Sequence, residues 1–220
     1  MAKVNSAIGI EYNSNAIKAV ELTKGADGSY EVTAYSKEFI GENIMGNGII
    51  VDNAMFSVAL NRLMERGNFN TKLPVVVGVN NENVIMRYAT FPKVPEEKLR
   101  GVITMQAQDF IPVPISELGL DFVVIDETTD DDDQPALNVL LVGARTTMLQ
   151  NIIQNFAESK LEIVDIDSSF LAWCRVAIEE AKEDEVFGFL CLTDDVLDLI
   201  HTRQDTFYVV TTPDKPAGAG

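Results

Sequence analysis

AQDFIPVPISELGLD, residues 107–121, decides the fold, because an amphipathic helix runs there into a two-proline turn and then into a strand. The helix is expected from Pro95 to Phe110, with Leu99, Val102, Ile103, Ala107 and Phe110 recurring at three- and four-residue intervals along one stripe. Pro95 suits the first helical turn, where a missing N–H costs nothing, and Glu96 and Glu97 suit the positive helix end. Pro112 and Pro114 lack backbone donors and push Ile111 and Val113 out of helical geometry, so the helix must stop there.

Working outward, three strand-like runs open the chain, Val4 to Glu11, Ala16 to Thr23 and Tyr30 to Phe39, separated by polar turns. A helix is expected from about Asp52 to Arg66, with Met55, Phe56, Ala59, Leu60, Leu63 and Met64 on its stripe, Asp52 as N-cap and Gly67 as its stop. Pro74 to Val79 is a near-continuous apolar strand, as in a sheet covered on both faces. Then come strand (Asn83 to Phe91), the helix above, strand (Leu120 to Asp126), strand (Ala136 to Ala144), helix (Thr146 to Lys160) and strand (Leu161 to Asp165). This β-α-β-β-α-β order fits a compact α+β insertion. In its second helix Leu149, Ile152, Ile153, Phe156 and Ala157 form one face and Thr146 is available as the cap. A helix capped by Ser168 or Ser169 follows, with Phe170, Cys174, Ala177, Ile178 and Ala181 on its stripe and Trp173 read as core. Phe187 to Leu192, Val196 to Thr202 and Thr206 to Thr211 read as strands.

At 220 residues and 46% hydrophobic content the chain can bury one large core or two modest ones, which excludes disorder as its dominant state. A formal charge of −17 argues against unaided binding to nucleic acid or anionic lipid, both of the same sign. Cys174 and Cys191 are too few for a disulfide scaffold or a metal site and read as reduced core thiols. No stretch reaches the roughly 18 apolar residues of a membrane span, and no secretory leader is recognisable, so a cytoplasmic protein is expected. Asp130 to Asp133 lacks the glycine and distal glutamate of a calcium loop and reads as a solvated hairpin tip. His201 is the only histidine, which excludes a multi-histidine metal site. No motif marks a catalytic serine or cysteine, and no metal site is expected.

Ala107 to Asp121 closely resembles the corresponding segment of the type IV pilus assembly protein PilM family, actin-like cytoplasmic proteins related to the division protein FtsA, whose members carry a similar FIPFP turn. IGIEYNSNAIKAVEL (residues 8–22) is similar to the family's first phosphate loop, and GNGIIVD (46–52) to the approach to its first long helix. VLLVGAR (139–145) and VDIDSSFLAW (164–173) are similar to later core segments. The resemblance implies an α/β protein: an actin-like (ribonuclease H-like) first subdomain over 1–80 and 162–186, an inserted small α+β subdomain over 81–161, and the opening strands of a second lobe over 187–220. The family's adenosine-contacting subdomain would lie beyond Gly220, and the sequence leaves open whether the chain is truncated or a short form.

Actin-like proteins hold nucleotide between two halves, each supplying a strand-turn-strand phosphate loop that needs small residues for close backbone approach. The family's first loop resembles D-x-G-S-x-x-x-K; here Glu11 stands for the aspartate, Asn13 for the glycine, and Ser14 and Lys18 are retained, with Asn15 completing the turn. Asparagine is the best substitute for glycine at positive φ, so the turn is expected to form while phosphate approach suffers. The second loop would fall at Leu192 to Val196, LTDDV, which has no glycine and carries Asp194 and Asp195, two charges that repel polyphosphate. No cofactor is therefore expected; ATP and magnesium would belong to a full-length form.

The function implied is a non-catalytic cytoplasmic adaptor of pilus assembly, peripheral at the inner membrane through a protein partner. It would dock the N-terminal tail of an inner-membrane PilN-like protein, among other pilus assembly components, as an extended peptide in a groove between first subdomain and insertion. Phe110, Ile111, Pro112 and Val113 are the candidate pocket walls, beside the simpler reading that this turn packs the insertion. An acidic surface favours a basic tail. Two alternatives stand: an ATP-binding switch or ATPase using Glu11, Ser14 and Lys18, and the cytoplasmic part of a type II secretion L-type protein.

Overall fold

The computed structural model describes the backbone of residues 5–180, 187–192, 197–203 and 206–212, and the side chains of residues 5–176. The chain opens with an antiparallel meander, β1 (Ser6–Tyr12), β2 (Ala16–Lys24) and β3 (Tyr30–Phe39). A short hairpin follows, β4 (Met45–Gly46) and β5 (Ile49–Ile50), then α1 (Asn53–Gly67) and β6 (Val75–Val79). The insertion contributes β7 (Val84–Pro92), α2 (Glu96–Gln106), β8 (Leu118–Thr129) and β9 (Pro135–Arg145). The chain returns through α3 (Thr146–Glu158), β10 (Ile163–Ser168) and α4 (Ser169–Glu180). Beyond it, β11 (Phe187–Leu192), β12 (Leu197–Arg203) and β13 (Thr206–Thr212), three strands that the sequence pattern predicts, form one antiparallel sheet.

The main sheet runs β10-β6-β1-β2-β3, with β6 parallel to both β1 and β10. Strand alternation sends Ile8, Ile10 and Tyr12 of β1 and Val75, Val77 and Val79 of β6 to one face. There they meet Phe56, Leu60 and Leu63 of α1 and Met148, Ile152 and Phe156 of α3. Phe56 is the hub, with Tyr12 edge-on at 5.5 Å and Phe156 at 6.3 Å. The insertion has its own sheet, β7-β9-β8, and its own core, in which Phe91, Leu137, Val139 and Leu141 pack under Leu99 and Ile103 of α2.

The structure corrects the insertion expected over 81–161. Its own core draws on residues up to Leu141 of β9, whereas α3 packs against α1 and β10 pairs with β6. The reason is burial: Met148, Ile152 and Phe156 find the larger apolar surface on the first core. This placement also rotates α3, so Asn155 is buried while Ile153 and Ala157 face outward. Asn155 is held through its Nδ2, which donates to Asn53 Oδ1 (3.2 Å) and to the Asn151 carbonyl (2.8 Å), while its Oδ1 has no partner among the described residues.

Smaller expectations shift too. Asp52 caps α1 through Met55 N–H as expected (2.9 Å), but the helix stops on Asn68, left-handed at φ 53°, and Met55 is exposed. Thr146 does not cap α3, whose N-cap position is Arg145 without a side-chain hydrogen bond. The helix expected to Phe110 ends as α at Gln106, with a 3-10 turn over Ala107–Asp109. Ser168 Oγ accepts the Leu171 N–H, the expected cap of α4. Trp173, read as core, is 41% exposed.

The chain passes between the two cores at one place. The β4-β5 turn, Asn47 and Gly48, has positive φ at both residues, the hairpin conformation that Asn-Gly favours. Asn83 Nδ2 donates to the Asn47 carbonyl (2.7 Å) and Asn81 Nδ2 to the Gly48 carbonyl (3.2 Å), while Asn81 Oδ1 accepts the Asn83 N–H (2.9 Å). The returning Arg145 N–H donates to the Asn83 carbonyl (3.3 Å). Outgoing and returning strands are thus fixed to each other and to the hairpin.

Candidate functional site

On the outer face of the main sheet, opposite the α1 and α3 core, lies a cavity of about 390 Å³. Strand alternation places Gly9 and Glu11 of β1, Lys18 and Val20 of β2, and Val76 and Gly78 of β6 on this face. Trp173 and Ala172 of α4 form its other wall.

The charged residues at the cavity neutralise one another in pairs. Glu11 and Lys18 are direct cross-strand partners, and Lys18 Nζ lies 3.8 Å from Glu11 Oε2. Arg175 of α4 pairs with Asp167 at the end of β10, whose Oδ1 also accepts the Ser168 N–H at 2.8 Å. Ser169 opens α4 with its side chain 5% exposed, and its Oγ finds no hydrogen-bond partner among the described residues. Gly78 is what makes room for it: a Cβ there would stand 2.6 Å from Ser169 Oγ.

Of the residues read from sequence as a nucleotide site, the structure brings Glu11 and Lys18 to this cavity and puts Asn13, Ser14 and Asn15 in the turn beyond it. That turn closes differently from the expectation. Asn13 does not adopt positive φ. Its carboxamide oxygen accepts the Asn15 N–H (3.0 Å) and the Ala16 N–H (2.9 Å), and its own N–H donates to the Ala16 carbonyl (3.0 Å). Asn13 thereby engages the Asn15 and Ala16 amides, two of the backbone N–H groups that line the turn. The second loop lies outside the described residues apart from Leu192. Asp167, Ser169, Arg175 and Gly78 were missed by the sequence reading. The available signal was VDIDSS, an acid at a strand end followed by a capping serine, but only the fold sets it beside Glu11 and Lys18.

The two-proline turn lies in the insertion and is tied to its core. Ile111 is 1% exposed among Ile103, Val139 and Leu141, so it is core and not a pocket wall; Val113 packs partly against the same cluster. Phe110 rests on Phe91 with centroids 5.5 Å apart, leaving one face outward, and Pro112 is exposed. Gln108 braces the turn, its Nε2 donating to the carbonyls of Ile111 (3.2 Å) and Val113 (3.4 Å) and its Oε1 accepting the Ile115 N–H (3.1 Å). Between insertion and body, Met86 of β7 packs against Phe170 and Cys174 of α4. Nearby, partial desolvation and then the charge of a Cys174 thiolate raise the phenol of Tyr88, a residue still 42% exposed. The acidic run is the β8-β9 hairpin tip, where Asp130 Oδ1 accepts the N–H groups of Asp132 (2.9 Å) and Gln134 (2.8 Å).

A sequence profile described as type IV pilus assembly protein PilM matches residues 9–189. Among solved structures, the fold is similar to a chain of a PilM-PilN type IV pilus biogenesis complex, with TM-score 0.81 and 22% identity over 94% of this chain. This chain spans 61% of that relative's length. It is also similar to the cytoplasmic domain of EpsL, an inner-membrane component of the type II secretion system of Vibrio cholerae (TM-score 0.57, 12% identity, 94% of this chain and 71% of that one). A Bacteroides thetaiotaomicron protein with an actin-like ATPase fold matches with TM-score 0.51 and 6% identity over 96% of this chain and 71% of that one. The architecture is an actin-like α/β fold.

Proposed function

The chain belongs to the type IV pilus assembly protein PilM family, and from that premise we propose that it works as a non-catalytic cytoplasmic adaptor which docks the N-terminal tail of a PilN-like inner-membrane protein. The observation that supports this reading is the Asn13 turn: its carboxamide engages the Asn15 and Ala16 amides, which would have to be released before they could face a phosphate. Likeness to a chain of the PilM-PilN complex supports the choice of partner. No helix among the described residues is long and apolar enough to cross a membrane, so attachment at the inner membrane would run through that partner. The tail would lie extended in the groove between the body and the insertion. Phe110, Pro112 and Val113 are its proposed wall on the insertion side; a basic tail suits the charge of −17.

Fluorescence anisotropy with a labelled N-terminal peptide of a PilN-like protein, beside calorimetry with magnesium ATP, tests the proposal. Saturable peptide binding with no heat from ATP is expected. A nucleotide switch is the competing reading, favoured by Glu11 and Lys18 sharing one cavity. Micromolar ATP binding that Lys18→Ala abolishes, with no peptide binding, would establish it instead.

A further inference from the structure

A row of charge crosses the outer face of the main sheet and stops short at its edge. In the antiparallel register Glu11 of β1 lies opposite Lys18 of β2, and Lys18 lies opposite Lys37 of β3. Like charges directly opposite on neighbouring strands are destabilising, and both lysines are exposed. Glu11 serves Lys18 from one side. Among the described residues Lys37 has no carboxylate across from it, because β3 is the last described strand of the sheet; its Nζ sits instead 4.3 Å from the centroid of the Phe39 ring. The sequence of charges is acid, base, base, and the next place in the row lies beyond the edge.

The neighbouring rows on the same face are apolar. Tyr35, opposite Val20, is 80% exposed, and Phe39, opposite Ala16, is 67% exposed. Their alternation with Lys37 gives the edge an aromatic, basic, aromatic surface at two-residue spacing. A bulge at Thr33 interrupts the upstream part of the edge, and Thr33 Oγ1 is engaged with Glu21 (2.8 Å). Downstream, Ala34 to Phe39 pairs with β2 in unbroken register, and half of its backbone groups point away from β2.

We propose that the free edge of β3, from Ala34 to Phe39, is a docking site for an extended segment of another protein that adds a strand to the sheet. The segment has an acidic residue opposite Lys37 and large apolar residues two positions to either side, opposite Tyr35 and Phe39. The carboxylate completes the charge row and offsets the Lys18–Lys37 repulsion, which is why an acidic segment is selected on an otherwise acidic protein. The backbone supplies the pairing, and the alternate side chains supply the choice. This surface is separate from the groove proposed for the PilN-like tail and does not depend on it.

The probes are three labelled peptides: Thr-Ile-Thr-Glu-Thr-Ile-Thr, the same with lysine at the centre, and a scrambled version of the first. Anisotropy should show the glutamate peptide binding about fivefold more tightly than the lysine peptide, the upper end for one cross-strand pair. The preference should reverse in Lys37→Glu and disappear in Lys37→Ala, and amide exchange should slow at residues 34–39. Circular dichroism on both variants checks that the fold is kept. Equal binding of all three peptides, no binding, or slowed exchange elsewhere would sink the proposal and leave Lys37 as a lysine that merely keeps the edge from pairing.

Discussion

At the residue scale, the sharpest constraint is the contact between Gly78 and Ser169. A methyl group at Gly78 meets Ser169 Oγ at 2.6 Å, while Ser169 Cβ is at a comfortable 3.6 Å. Gly78→Ala should therefore lower stability in urea unfolding by about 1–3 kcal/mol, the usual cost of overpacking. Ser169→Ala should recover most of that loss in the double variant, since it removes only the oxygen, and a double-mutant cycle measures the coupling. Additive losses would mean that the strain lies elsewhere. The same scale shows what sequence can say about one position. That Asn13 could stand in for a glycine was legible from residue chemistry; that it does so by spending its side chain on Asn15 and Ala16, and not by adopting positive φ, required the folded turn.

At the scale of elements, Gln108 is the strut of the two-proline turn. Because Pro112 and Pro114 cannot donate, the turn relies on one side chain to bond the carbonyls of Ile111 and Val113 and the N–H of Ile115. Gln108→Ala should cost about 1 kcal/mol and speed exchange of the Ile115 amide while leaving α2 protected; unchanged exchange there would show that the strut is dispensable. Element types were readable because α1, α2 and α3 each carry a helical apolar period and β1 to β3 an extended one. Faces were less readable. Apolar residues on α3 cover more than one side, and Asn155 could be buried only because Asn53, distant in sequence, accepts its amide. A sequence lists the order of elements and not which core each one joins, so α3 and β10 were assigned to the insertion. The same limit hid the cavity, where Asp167 and Arg175 reach Glu11 and Lys18 only through the parallel pairing of β1, β6 and β10.

At the scale of the whole molecule, the buried Tyr12 phenol couples folding to alkaline pH. A tyrosine titrates near 10.0 when unfolded, and burial in the main core raises Tyr12 well above that value; Tyr88, 42% exposed, keeps contact with solvent and adds little. Between those values the unfolded chain has released a proton that the folded chain keeps. Stability is therefore fully present below pH 10 and falls as pH rises above it. Tyrosinate absorbance followed beside circular dichroism should show part of the five tyrosines ionising only with loss of structure. All five titrating together near pH 10 in the folded protein would contradict this. The joint between the two cores has another bearing on the molecule as a whole. Because Asn47, Asn81, Asn83 and Arg145 gather both crossings into one doorway, the body holds the insertion there and, through α4, at Met86. The appended unit can lengthen its hairpin or change its surface, as a fitting is exchanged on a fixed flange, while the register of the strands behind it stays as it was.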